Sequence, residues 1–241
     1  MITLEATQRV AEESPDHQCP IGCVNDNFTS LGLIDEVKDG FDNEQIFMLD
    51  LGCAGGQFVS DFIDRGDIGV GLEGSDNALS GSGKHNWDKY YNKNLFLCDI
   101  TKEYQLFYNS KPIEFDFIHS EEVFEHIAPD DIDSLLKNIF KHLKKGGLCA
   151  FGISLIPDVR DDKGNAMVPP FAEKDMTIGY EGKLFKLHQS IFPATWWKDK
   201  IESHGFKIFE EGIHNDHCFG YLFDHTVRGA GPESVYICCT K

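Results

Sequence analysis

Basic residues are scarce in this chain: 22 lysines and arginines stand against 40 aspartates and glutamates, for a formal charge of -18. A surface of that average sign repels phosphate backbones and anionic membranes, which makes nucleic acid a poor partner. The lysines that do cluster, Lys137, Lys141, Lys144 and Lys145, precede Gly146 at the end of an amphipathic run, where cations complement the carbonyl end of a helix. No stretch of about 18 uncharged apolar residues occurs, and the opening MITLEATQRVAEESPDH lacks a basic flank followed by an apolar run. A cytoplasmic protein with no membrane span is therefore expected. Internal repeats and low-complexity tracts are also absent.

The eight cysteines are scattered, and Cys53, Cys98, Cys149 and Cys238 fall in segments expected to be buried strands, where reduced thiols act as small core residues. His17, Cys19 and Cys23 sit close enough to suggest zinc, but a structural site needs four ligands, commonly as closely spaced pairs. Only a distant group, Cys218, Cys238 and Cys239 with His214 and His217, offers more, so no metal site is expected.

What is present is the composition of an ordinary globular protein: 241 residues, 41% hydrophobic and 26% charged, enough for one large domain with a sizeable core. The first 45 residues are polar and weakly patterned, and are expected to form an arm or cap. From residue 46 onward, short apolar runs alternate with amphipathic stretches, the signature of βαβ units and a parallel sheet. Strands are expected over residues 46–52, 68–74, 94–100, 115–120 and 148–154, with helices over 57–65, 78–91 and 130–144. Residues 157–187 are too long for a simple connection and too rich in proline and glycine for a helix, so a lid or substrate-binding insertion is expected there. A helix over 194–204, in which Trp196 and Trp197 face the core, and strands over 206–212 and 234–240 complete the second unit, 46–241. With no crossover helix between them, the last strand should run antiparallel to its neighbour. The fold class is thus α/β: a doubly wound, seven-stranded, mainly parallel sheet with its last strand reversed.

The segment MLDLGCAGGQF joins a strand ending in an acid to a helix through a glycine-rich turn, which lets a backbone approach a ligand closely at the carboxyl edge of a parallel sheet. A dinucleotide fingerprint needs glycine at relative positions one, three and six; counted from Gly52 these hold Gly52, Ala54 and Gln57, so it fails. A P-loop fails as well, because no GK[ST] follows.

On these residues the sequence resembles the class I S-adenosylmethionine-dependent methyltransferases, in the manner of the ubiquinone-type and sugar O-methyltransferases. Asp50, Gly52, Ala54 and Gly56 match the family's acid-x-Gly-x-Gly-x-Gly turn, with Ala54 in place of the middle glycine and Gly55 beside it. The resemblance continues in order along the chain. It implies that Glu73, ending the second strand, accepts hydrogen bonds from both ribose hydroxyls, and that Asp99, beside Cys98 in LFLCDI, meets the adenine amino group. Cys53, Gly74 and His119 complete the implied set around S-adenosylmethionine, the implied cofactor. A sulfonium donor carries no phosphate and needs carboxylates for its hydroxyl and amino groups rather than a cationic cradle. Methyl transfer is an in-line displacement governed by positioning, with a base needed only where the acceptor must lose a proton.

The run EEVFEH places Glu122, Glu125 and His126 at i, i+3 and i+4, so that on a helix they share one face. This pattern resembles the E-x-x-E-H motif with which small-RNA 2′-O-methyltransferases hold a divalent cation, His188 being a counterpart of their later histidine. A Glu-His pair also recurs in the ubiquinone-type and sugar enzymes, where no metal is implied, and HQSIFPATWW matches their late helix better. The expected site is therefore metal-free, with His126, His188 and Glu122 as catalytic or acceptor-orienting groups. The expected reaction is O-methylation of a small molecule or sugar. A metal-dependent RNA 2′-O-methyltransferase and a non-catalytic binding protein that keeps the fold are the alternatives.

Overall fold

The computed structural model describes residues 1–155, 178–180, 183–209 and 234–241. Its strands are β1 (Ile2–Ala6), β2 (Phe47–Leu51), β3 (Ile68–Glu73), β4 (Leu95–Leu97), β5 (Tyr104–Tyr108), β6 (Lys111–Pro112), β7 (Phe115–Glu121), β8 (Leu143–Ser154), β9 (Ile178–Tyr180), β10 (Lys183–Phe185), β11 (Lys207–Ile208) and β12 (Ser234–Thr240). The helices are α1 (Pro15–Gln18), α2 (Ile21–Asn25), α3 (Leu31–Gly40), α4 (Gln57–Asp64), α5 (Lys84–Tyr90), α6 (Ile132–His142) and α7 (Ala194–Ser203).

Seven strands form the main sheet in the order β11-β12-β8-β7-β2-β3-β4. The pairings β8-β7, β7-β2, β2-β3 and β3-β4 are parallel, whereas β12 is antiparallel to both β8 and β11. The expected mainly parallel sheet with a reversed last strand is what forms. Its strands are apolar on both faces because both faces are covered. In β2, Leu49 and Leu51 join one core with Ile132, Leu135 and Ile139 of α6 and Trp197 and Ile201 of α7. Met48, the residue before Leu49, joins the other with Leu33 and Ile34 of α3, Phe58 and Phe62 of α4 and Trp87 of α5. The same alternation sends Cys239 to the first face and Cys238 to the second. None of the seven cysteines among the described residues is in a disulfide.

Where expectation and structure differ, local chemistry explains it. The expected helix over 78–91 is a short 3-10 turn at Asp76–Ser80 followed by α5, since Gly81 and Gly83 interrupt it. Gly83 is obligatory, for a Cβ there would lie 2.1 Å from the backbone of Gly55. The strand expected over 94–100 pairs only through Leu97 before the chain turns at Asp99. α6 ends at His142 rather than Lys144, because β8 takes up pairing with β7 from Leu143. A second sheet, β1-β5-β6, was not anticipated. Ile2 and Leu4 of β1 and Tyr104 and Leu106 of β5 are buried in the first core, so the start of the chain belongs to the domain's packing. The β9-β10 hairpin lies within the region expected as a lid, and most of that region falls outside the described residues, as do His214, His217 and Cys218. Among the described residues no helix is long and apolar enough to cross a membrane.

Candidate functional site

Asp50 is buried one residue before the end of β2, and the chain reverses through a turn in which Gly52 (φ 69°), Ala54 (φ 41°) and Gly56 (φ 73°) all adopt the left-handed region. The conformation suits glycine and strains an alanine, by roughly 1–2 kcal/mol. It accounts for the glycine that the resembling family carries at the position of Ala54. At Gly52 there is also no room, since a Cβ would lie 2.4 Å from Val123 Cγ2. The turn is held from β3: the Ala54 N–H donates to Glu73 Oε2 and the Ser75 N–H to Glu73 Oε1, both at 2.9 Å. Burial pushes the Glu73 carboxyl up to about 7, against the pull of those two N–H donors. On the next strand end, Asp99 Oδ1 accepts from the Thr101 N–H and hydroxyl at 3.0 and 2.6 Å.

Asp50 Oδ1 lies 2.8 Å from His119 Nδ1 on β7, the adjacent strand. The ring of His119 is clamped between Phe28, stacked at 5.2 Å, and Phe58 at 4.6 Å. Its Nε2 is buried without a hydrogen-bond partner and is 4.0 Å from Glu121 Oε2, while the Tyr236 hydroxyl donates to Glu121 Oε1.

Phe28, the turn from Gly52 to Ala54, Glu121 and the side chains of Asp50, Glu73, Asp99 and His119 border one cavity of about 800 Å³ above the carboxyl edge of the sheet. Of the residues singled out in the sequence, Asp50, Gly52, Cys53, Ala54, Glu73, Gly74, Asp99, His119, Glu122 and His126 line it. Gly55, Gly56, Cys98 and His188 do not. Gly56 caps α4, Gly55 accepts a hydrogen bond from Asn86, and Cys98 is buried with its N–H on Glu73 O. Cys53, enclosed beside two acids, has its thiol pushed well up by burial and stays neutral.

The EEVFEH run is not α-helical. Glu122 takes φ 51° and donates its N–H to Gly152 O, and only Phe124–His126 form a 3-10 turn. The left-handed residue breaks the helical phase, so the three side chains do not share a face. Glu122 and His126 border the cavity, whereas Glu125 turns fully inward and accepts the Ser154 N–H at 3.1 Å. Its Oε2 has no hydrogen-bond partner, and burial pushes the carboxyl up to about 8. The His126 and His188 rings meet edge to face at 4.6 Å. Among the described residues, Glu125, His126 and His188 form the one cluster whose donor atoms all lie within 4.8 Å of one another.

Sequence reasoning missed the contribution of the N-terminal segment. Asp16 of α1 lies 2.8 Å from His126 Nδ1, and Phe28 covers His119. The Ser14-Pro15-Asp16 run reads as a helix start, and Ser14 does cap α1. Nothing local, however, signals a partner 110 residues away.

The sequence matches the methyltransferase domain family over residues 30–211, and the chain belongs to that family. With this fold, it is an enzyme of the class I, S-adenosylmethionine-dependent type. No curated protein matches it in sequence. Among solved structures, an S-adenosylmethionine-dependent methyltransferase from Clostridium acetobutylicum is similar, with 16% identity and a TM-score of 0.56, covering 87% of this chain and 90% of its own. A TehB-like methyltransferase from Corynebacterium glutamicum gives 16% identity and a TM-score of 0.53, covering 87% of both chains. The 1,6-didemethyltoxoflavin-N1-methyltransferase of Burkholderia thailandensis, solved with its substrate and S-adenosylhomocysteine, gives 10% identity and a TM-score of 0.51, covering 88% of this chain and 78% of its own.

Proposed function

We propose that the protein transfers a methyl group from S-adenosylmethionine to an oxygen of a small molecule or sugar. The observation that carries this reading is the row of buried carboxylates, Asp50, Glu73 and Asp99, on three adjacent strand ends around a left-handed turn. That donor set fits the cofactor, whose groups on this side are hydroxyls and amines; Lys102 is the single lysine or arginine among the described residues lining the cavity. Glu73 receives the ribose hydroxyls, Asp99 the adenine edge, and the backbone from Gly52 to Ala54 the amino acid end. When bound, S-adenosylmethionine supplies the electrophilic methyl group.

The acceptor occupies the part of the cavity over β7, next to β2, where Glu122 and His126 stand. Asp16 holds His126 through Nδ1, which fixes the tautomer whose Nε2 is basic. His126 Nε2 takes the proton of the acceptor hydroxyl, and His188 packs against its ring and limits its tilt. The arm before residue 46 forms one wall of the acceptor pocket, and the insertion 157–187 contributes to acceptor choice. The similar Burkholderia thailandensis enzyme, solved with bound 1,6-didemethyltoxoflavin, supports a small-molecule acceptor.

Isothermal titration with S-adenosylmethionine and S-adenosylhomocysteine, followed by transfer of a labelled methyl group to small hydroxylated acceptors, tests the reading. Binding of neither molecule at millimolar concentration overturns it. A second, metal-assisted reading is favoured by the cluster of Glu125, His126 and His188 with its unsatisfied buried oxygen. Those three residues would hold a divalent cation, which would polarise the acceptor oxygen. Metal analysis of wild type and Glu125→Ala separates the two.

A further inference from the structure

Ten carboxylates border the cavity among the described residues, against one lysine and no arginine, and the lysine, Lys102, is already paired with Asp131 at 3.1 Å. Three of the ten, Asp50, Glu73 and Asp99, are accounted for by the donor. On the acceptor side the wall still carries Asp16, Glu121 and Glu122, from α1 and the end of β7. The donor brings two positive groups and its own carboxylate, too little to balance them. An anion placed there would face three carboxylates across a partly enclosed space, where their repulsion is weakly screened.

A second observation on the same wall points the same way. The imidazole of His119 is 1% exposed and borders the cavity, with Nδ1 held by Asp50 and Nε2 lacking a hydrogen-bond partner. With its proton on Nδ1, toward the Asp50 carboxylate, Nε2 is an acceptor waiting for an N–H or O–H. Carboxylates and a bare imidazole nitrogen together ask for a ligand rich in donors and positive in charge. From these groups, and resting on the methyltransferase reading of the cavity, we infer that the acceptor is a small molecule carrying a protonated amine, seated by Asp16, Glu121 and Glu122 with one donor on His119 Nε2. Phosphorylated and carboxylated acceptors are excluded by the same wall, and the metal-dependent RNA reading loses its substrate.

The test uses the full-length protein saturated with S-adenosylhomocysteine, whose own binding is first measured by calorimetry. Two series, tyramine, 4-(2-hydroxyethyl)phenol and 4-hydroxyphenylacetate, then glucosamine, glucose and glucuronate, are titrated by ligand-observed NMR. In at least one series the ammonium member binds roughly tenfold tighter than the neutral one, and the anion is weakest. Glu122→Gln and Glu121→Gln each shrink that preference, and added salt does the same. Equal binding of the neutral or anionic members overturns the inference, as does failure of both amines to bind at millimolar concentration. Failure of S-adenosylhomocysteine to bind would instead remove the methyltransferase reading of the cavity.

Discussion

Replacing Glu73 by glutamine sets two effects of known sign against each other. In the folded protein the carboxyl titrates near 7, above its ordinary 4.5, because burial outweighs the two N–H donors. Below pH 4.5 both folded and unfolded chains are protonated and nothing is lost; as pH rises the unfolded chain ionises first, and stability falls until the folded pKa is passed. That gap corresponds to about 3 kcal/mol lost above pH 7. Glutamine abolishes the loss but presents an amide N–H₂ to one of the two buried N–H groups, at a cost of about 1–3 kcal/mol. At pH 8 the variant should therefore be close to wild type in urea unfolding, with a flatter stability profile between pH 5 and 7. Donor binding should not be spared, because a neutral amide replaces a charged acceptor of two hydroxyls. S-adenosylhomocysteine affinity should fall by about 1.5–3 kcal/mol, roughly ten- to a hundredfold in Kd. A variant that folds and binds this molecule as wild type does would refute the role given to Glu73, and an unchanged pH slope would refute the account of its burial.

Three more outcomes can be checked on purified protein. His142 is buried, stacks on Tyr104 at 4.5 Å and donates from Nδ1 to Asn138 O, and burial depresses it to about 4 from 6.5. Its contribution is therefore intact above pH 6.5 and lost as pH falls toward 4, about 3 kcal/mol in all; chemical denaturation of wild type and His142→Phe across that window should show the variant's weaker acid dependence. Gly52→Ala must place a Cβ 2.4 Å from Val123 at a left-handed φ, so calorimetry should show lost donor binding and a lowered Tm, whereas Ala54→Gly should be neutral or slightly stabilising in the same scan. Asp16→Asn should lower kcat about tenfold or more with little change in donor Kd, through loss of the charge that orients His126, while a fall in donor affinity of similar size would show that Asp16 serves the donor instead.

Features carried by local pattern were legible in the sequence. The runs around Leu49, Val70, Ile118 and Phe151 read as buried parallel strands because both sheet faces are covered, and the acids at their ends follow from where the strands stop. That Asp50, Glu73 and Asp99 meet at one edge of the cavity was readable for that reason. The arrangement of the EEVFEH run was not. Spacing alone made Glu122, Glu125 and His126 a helical face, and the left-handed backbone of Glu122, stabilised by pairing with Gly152, cancels that phase. The β1-β5-β6 sheet escaped notice because short amphipathic strands at an edge look like loop, and the Asp16–His126 bond because it joins positions remote in the chain.

The family match begins at residue 30, yet Asp16, His17, Cys23 and Phe28 all face the cavity. The shared family pattern thus covers the sheet edge with its row of acids, while an upstream segment outside that pattern walls the same cavity. If that wall seats the acceptor as proposed, two proteins with superimposable sheets need not share a substrate, because what each methylates is then set partly outside the stretch they have in common.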